Sequence, residues 1–350
     1  MIGMNTVLLS VVVPVYRVEG YLYQCLESIR AGLTAAESAS VEVIAVDDAS
    51  PDGCGAMLDG YADRHGDLRV VHLSRNVGLG LARNAGLAEA RGDYVWFVDS
   101  DDWLPPGSVR AVLDRLRADR PDVLLVDHLR VHENGRLEPD ASSGALKDPG
   151  LPSLIRLQHT AWNRIVRCGL LEELDLRFLP GWYEDVPFSN PVLIAARSVS
   201  VLDRVCYHYR IGRLGAITAT RSERHFEAFD QYDRMLAWVA ARDPEPWLRH
   251  QLFTLMVNHL LVVAGNDGRL HPGRRRAFFK RLVAHYRRYL PAGYPGHPGI
   301  KHRLVRLGSY ALYAALRQAY RIGKRDPELS PAVRPVLASA PQPAQAATIR

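Results

Sequence analysis

The apolar run Tyr94-Val95-Trp96-Phe97-Val98 stops abruptly at Asp99-Ser100-Asp101-Asp102. Residues of this kind favour a strand buried in a sheet, and here the strand delivers three carboxylates to the sheet's edge. Carboxylates so crowded repel one another unless a cation, a basic partner or a raised pKa relieves them. A hard divalent ion bridging to a phosphate satisfies that need. A helix start is the plainer reading, with Asp102 as the cap of a helix opening near Pro105 and Pro106. An Asp-x-Asp triplet alone leaves both open.

The rest of the chain repeats the pattern. Leu8 to Val15 is continuously apolar and ends at Tyr16, as a strand covered on both faces reads. Leu22, Cys25, Leu26 and Ile29 follow at helical spacing. Val41 to Val46 closes in Asp47-Asp48-Ala49-Ser50-Pro51-Asp52. Leu68 to Leu73 leads into Ser74-Arg75-Asn76-Val77-Gly78 and a helix of small residues over roughly 79–90. A helix around Val109 to Leu116 precedes a fifth strand, Val123 to Val126. Strands alternating with helices predict right-handed βαβ units and a largely parallel sheet, with ligands at the carboxyl ends of its strands. Tyr16, Asp48, the Asn76 to Asn84 segment and Asp99 to Asp102 all fall at that end. Four such strand ends on one rim favour a binding site over four independent turns.

Several classes lose their support. Val13-Pro14-Val15-Tyr16 stands where a dinucleotide fold carries its glycine fingerprint, and neither a phosphate-binding Gly-Lys-Ser/Thr loop nor a Gly-x-Ser-x-Gly elbow occurs. A nucleotidyltransferase lacks its basic glycine-rich loop after the first strand. Cys25, Cys54, Cys168 and Cys206 are scattered without metal or disulfide spacing. No apolar run approaches the ~20 residues that span a bilayer, so a cytoplasmic protein is expected, with possible peripheral contact at the inner face of the cell membrane. At 350 residues the chain has room for one large core and a smaller appended lobe, and its net charge of +6 suits acidic company.

The motifs Ser10-Val11-Val12-Val13-Pro14-Val15-Tyr16, Val46-Asp47-Asp48-Ala49-Ser50-Pro51-Asp52, Asn76-Val77-Gly78, Ala82-Arg83-Asn84-Ala85-Gly86, Gly92-Asp93-Tyr94 and Val98-Asp99-Ser100-Asp101-Asp102 occur in the order and spacing of the family 2 glycosyltransferases. The chain resembles that family over its first third. The resemblance implies the GT-A fold, a Rossmann-like, mostly parallel α/β sheet flanked by helices. It implies that Pro14, Tyr16 and Asp48 hold the nucleoside, with Asp48 accepting from a base N–H. Arg83 would lie near the diphosphate or ribose, Asp99 on the ribose side, and Asp101 on Mn²⁺ or Mg²⁺, while Asp102 supports the turn. Gly often stands in the family where this chain has Ala49.

An inverting transferase also needs a base for the acceptor hydroxyl. Gly181-Trp182-Tyr183-Glu184-Asp185-Val186 resembles the family's Glu-Asp motif and makes Asp185 the base, with Glu184 orienting it or binding the acceptor; a cap or a surface pair is the plainer alternative. Trp162 and Trp182 are candidates to stack on a sugar, or to pack in the core. Arg210 is a candidate diphosphate contact. The stretch from Tyr183 to Tyr232 resembles the glycosyltransferase module of actinobacterial teichoic-acid and capsular polymer proteins.

The expected organisation is a GT-A domain over 1–235 (nucleotide-binding part about 7–130, acceptor part about 131–235), a helical basic region over 236–328 and a disordered tail over 329–350. The basic region interleaves arginines with tyrosines, which suits an anionic polymer, a lipid-diphosphate acceptor, the inner leaflet or simply solvent. The expected function is metal-dependent, inverting transfer of a sugar from a nucleotide-diphosphate sugar, UDP-linked by preference, to a hydroxyl of a glycan, glycopolymer or lipid-linked acceptor. No nucleic-acid partner is expected. The alternative is a non-catalytic scaffold that binds glycopolymer or membrane. Intact Asp99, Asp101, Arg83 and Asp185 weigh against it, since a scaffold has no need of mutually repelling acids.

Overall fold

Strand β1 (Leu9–Val15) is buried along its whole length, and its alternate residues serve two different cores. Leu9, Val11, Val13 and Val15 face one helical layer, which contains α1 (Leu22–Arg30). Val12 faces the other. The computed structural model that displays this arrangement describes residues 7–140, 146–147, 150–213 and 215–325, so the tail expected over 329–350 lies outside the described residues.

After α1 comes the single turn α2 (Ala35–Ser38), which Thr34 and Glu37 close with a capping box. Then follow β2 (Val41–Asp47), α3 (Cys54–Ala62), β3 (Leu68–His72), α4 (Leu79–Glu89), β4 (Tyr94–Phe97) and α5 (Ser108–Asp119). These elements match the alternation expected from the sequence. β1 pairs in parallel with β2 and β4, and β2 with β3.

The second half of the sheet is less regular. β5 (Val123–His132) outruns the four residues expected of it, because β6 (Leu137–Pro139) and β8 (Val199–Ile211) pair along its extension. α6 (Leu151–Leu154) precedes β7 (Arg164–Arg167), which lies antiparallel between β4 and β5. The sheet is therefore mixed but mostly parallel, in the order β3-β2-β1-β4-β7-β5, with β8 on the far edge of β5. α7 (Cys168–Glu173) and α8 (Val186–Ala195) cover the Val12 face together with α4.

Five further helices, α9 (Glu227–Ala240), α10 (Pro246–Gly265), α11 (Arg275–Tyr289), α12 (Ile300–Leu307) and α13 (Tyr310–Arg325), build a separate core. Phe229, Tyr232, Met235 and Val239 of α9 pack there with Leu252, Phe253 and Met256 of α10 and Phe278 and Phe279 of α11. The boundary expected at 235 thus falls inside a helix, and the helical lobe opens with α9. Val186, the first residue of α8, joins the same core and ties the lobe to the sheet. Among the described residues, no helix is long and apolar enough to cross a membrane.

Candidate active site

The chain steps outward from β1 to β2 and β3, then returns to the opposite side of β1 for β4. The carboxyl ends of β1 and β4 therefore diverge, which is where open α/β sheets bind ligands. Pro14 lies at the edge of this gap, where its missing N–H removes no bond from the β1–β4 ladder. Val12 accepts from the amide of Val98, so the nitrogen of Pro14, two residues on, faces the same side beyond the last residue of β4. Tyr16 follows at the rim, 40% exposed.

Asp48, at the end of β2, is buried and takes three donors from the loop after β3: the Val77 amide at 2.6 Å, the Gly78 amide at 2.9 Å and Asn76 Nδ2 at 2.9 Å. Burial raises its pKa, against the pull of the two amides. Nucleoside contact was its expected task, and loop fixing is the task its present bonds perform. The next residue, Ala49, has φ +53°, which accounts for the glycine that resembling sequences carry there.

Helix α4 organises what lies between the two halves of the site. Arg83 is buried and bidentate across two carboxylates, Nη2 to Asp99 Oδ1 at 2.6 Å and Nη1 to Glu184 Oε1 at 2.8 Å. Burial works to lower its pKa, and Asp99 and Glu184 outweigh it. Both arms of its fork are taken by protein acids, Asp99 and Glu184, which it positions. Glu184 is 4% exposed and clamped by Arg83, directly before Asp185 in the chain. Asn84, which sequence reasoning passed over, clasps the backbone of Phe178 twice, Nδ2 to the carbonyl at 2.8 Å and Oδ1 from the amide at 2.9 Å. Gly80 admits Glu184, because a Cβ there would lie 2.9 Å from Glu184 Cγ.

The three acids after β4 have three fates. Asp99 goes to Arg83. Asp102 accepts from the Tyr207 hydroxyl at 2.8 Å and the Arg210 amide at 2.7 Å, while the Asp99 amide donates to the same Tyr207 oxygen at 3.1 Å. It ties the turn to β8 and does not cap α5, whose N-cap is Gly107. Asp101 meets Arg213 Nε at 2.5 Å. Arg210 stands beside it, donating from Nε to the Asp101 carbonyl at 2.8 Å and stacked over Tyr21 and Trp103 at 4.7 and 4.6 Å. Arg213 carried no signal in the sequence beyond lying three residues past Arg210.

Burial and the crowding of the acids both act on their neighbours. Burial first, then Asp101 and Asp99, raise Asp102 well above the ordinary carboxylate range, and burial together with all three acids raises the Cys25 thiol. Among the described residues, no three His, Cys, Asp or Glu side chains converge as a protein-only metal cage. A divalent ion at this rim would be held by one hard carboxylate, Asp101, with its other ligands drawn from a substrate's phosphates. Arg213 shares that carboxylate.

On the other side of Arg83, Asp185 sits at the N-terminus of α8, yet its side chain makes no capping hydrogen bond. Its carboxyl is raised in pKa by burial first and by Glu184 next, against Arg83 and Arg164. Arg164 of β7 is a fully buried guanidinium, pushed down to about 10 by burial and supported by Asp185. Its hydrogen bonds go to the Thr160 and Gln158 carbonyls and to Asn163 Oδ1. Tyr183, just before the acids, holds φ +64° and bonds His225 Nδ1 at 2.6 Å.

The tryptophans separate. Of the two readings open to Trp162, its position matches core packing: it is buried, and Tyr207 stacks on it at 4.4 Å and Tyr209 at 5.5 Å. Trp182 stays partly exposed, with Arg224 over its ring at 4.9 Å.

The profile of the family described as Glycosyl transferase family 2 matches residues 10–169. EpsH of Bacillus subtilis, a protein assigned as a glycosyltransferase, is 30% identical over 289 residues, which cover 79% of this chain and 82% of EpsH. TarS of Staphylococcus aureus, a poly(ribitol-phosphate) β-N-acetylglucosaminyltransferase, is 30% identical over 59% of this chain and 36% of its own length. The crystal structure of TarS residues 1–349 with UDP-GlcNAc superposes with a TM-score of 0.70 at 22% identity, covering 90% of this chain and 92% of that one.

Proposed function

The chain belongs to glycosyltransferase family 2, and from that premise we propose that it transfers a sugar from a UDP-sugar to a hydroxyl of a cell-envelope glycopolymer, inverting the anomeric centre. One observation carries the reading: Arg83 joins Asp99, at the donor rim, to Glu184, next to the uncapped Asp185, so a single buried cation sets the spacing between donor and base. The similarity to TarS, crystallised with UDP-GlcNAc, supports UDP as the nucleotide and a phosphate-bearing polymer as the acceptor class.

In this reading the acceptor's O–H proton passes to an Asp185 carboxylate oxygen as that hydroxyl oxygen forms its bond to the anomeric carbon. The bond from that carbon to the diphosphate oxygen breaks in the same displacement, and the electron pair leaves with UDP. Tyr16 offers its exposed ring to the base, and Asp48 holds the neighbouring loop. Arg210 and Arg213 place two cations by the leaving diphosphate. When bound by Asp101, Mn²⁺ or Mg²⁺ supplies further positive charge there.

Nucleoside-diphosphate release from a panel of nucleotide sugars, with a soluble polyol-phosphate acceptor, tests the reading. Turnover is expected with a UDP-sugar. Asp185→Asn abolishes it while leaving donor affinity near wild type, and Asp101→Ala weakens donor binding. Full turnover by a folded Asp185→Asn protein overturns the assignment of the base.

A further inference from the structure

Residues 268–325 carry fifteen Lys and Arg and not one Asp or Glu. Part of that charge is used inside the fold: Arg274 pairs with Glu223, Arg275 and Arg317 with Asp267, Arg281 with Asp230. Lys301, Arg303 and Arg306 of α12 have no ion-pair partner among the described residues.

Those cations share their surface with exposed apolar side chains. In α12, Ile300, Arg303 and Leu307 follow one another at helical spacing on one face. Ile300 is 58% and Leu307 66% exposed, while His302, Leu304 and Val305 turn inward. In α13 the same spacing puts Leu312, Ala315 and Ala319 on the solvent side, opposite the buried Tyr313. Lys301 Nζ lies 5.9 Å from the ring of Tyr320, itself 66% exposed, joining the start of α12 to the last turns of α13.

A helix at a protein–water boundary ordinarily turns polar residues outward. An apolar stripe set among unpaired cations is the pattern of a helix lying in a lipid interface, where side chains such as Leu enter the acyl boundary and Lys and Arg meet anionic headgroups. A polyanion would engage the cations but has no use for Ile300, Leu307 and Leu312. We propose that α12 and α13 seat the protein on an anionic phospholipid bilayer. The placement is independent of the transfer reaction, and it holds the chain at the surface where lipid-linked acceptors reside.

Co-sedimentation of the full chain with vesicles of phosphatidylcholine, with and without phosphatidylglycerol, tests this without any turnover. Binding is expected to the phosphatidylglycerol vesicles, to weaken in about 0.5 M NaCl as screening shortens the reach of the charges, and to be slight on phosphatidylcholine alone. Leu307→Glu with Leu312→Glu, and separately Arg303→Glu with Arg306→Glu, should each lower vesicle affinity by about tenfold or more. Thermal melts and turnover with a soluble acceptor should stay at wild-type values. If the leucine pair misfolds as glutamates, Leu307→Ser with Leu312→Ser replaces it. Failure to bind anionic vesicles at low salt overturns the proposal. So does wild-type vesicle binding by the leucine variants combined with full competition by polyphosphate, which would assign the face to a polyanion. Either failure leaves the transferase reading standing, because the two are measured separately.

Discussion

At the scale of single residues the site depends on where protons rest. Asp185 is raised above the ordinary carboxylate range, chiefly by burial, so its proton persists to higher pH than on an exposed aspartate. Only the ionised form accepts the acceptor's proton, so kcat/KM should fall on acidification through that raised pKa. Arg164 opposes the shift by stabilising the carboxylate. Arg164→Gln should therefore raise the pKa further and move the acidic limb of the pH profile to higher pH, whereas Arg164→Lys should move it less. A second residue-scale prediction concerns Ala49. Its left-handed backbone costs an L side chain roughly 1–2 kcal/mol, partly offset by the greater freedom glycine has in the unfolded chain, ~0.4–1 kcal/mol. Ala49→Gly should stabilise the protein by up to about 1 kcal/mol, visible as a higher denaturation midpoint with unchanged slope. Asp185 was legible in the sequence, because an acid pair before a helix stands out. The electrostatic influence of Arg164 on it was not, since a lone Arg in a short strand resembles any surface charge.

At the scale of elements, α4 does more for the site than any strand. Its Arg83 and Asn84 reach residues about a hundred positions away, Glu184 and Phe178. Asn84→Ala removes both hydrogen bonds to the Phe178 backbone, which should cost about 1–3 kcal/mol and lower kcat more than donor affinity, as read by unfolding and by equilibrium binding. Gly80→Val should act the same way by pushing against Glu184. The strands β1, β2 and β4 were visible in advance because each is a largely apolar run, as burial on both faces demands, whereas β3, at the sheet edge, carries Arg69 and His72 and showed only through Leu68, Val70 and Val71. β7 was not, since Arg-Ile-Val-Arg alone says little; its pairing with β4 and β5 makes it a strand. Tyr207 is a similar case, an anchor of Asp102 that only the fold brings to it.

At the scale of the whole molecule, the sheet and the helical lobe are joined rather than appended. α9 carries Phe229, Tyr232 and Met235 into the lobe's core, and Val186 at the start of α8 belongs to that core as well. A fragment ending at 235 would expose these side chains to water, at ~1.5–3 kcal/mol each. Residues 7–235 alone should therefore aggregate or melt well below residues 7–325, by light scattering and calorimetry. The sequence by itself determined the alternating architecture, the rim of polar strand ends, the acid cluster after β4 and the acid pair before α8. These are local patterns, written in runs of neighbouring residues. Tertiary structure decided which acid meets which base: Arg83 between Asp99 and Glu184, Arg213 on Asp101, Tyr207 on Asp102, and Trp162 in the core. Each of those pairs except Arg83 with Asp99 spans a long stretch of chain. Side-chain periodicity reports which face of an element is buried and carries no information about the distant partner that buries it.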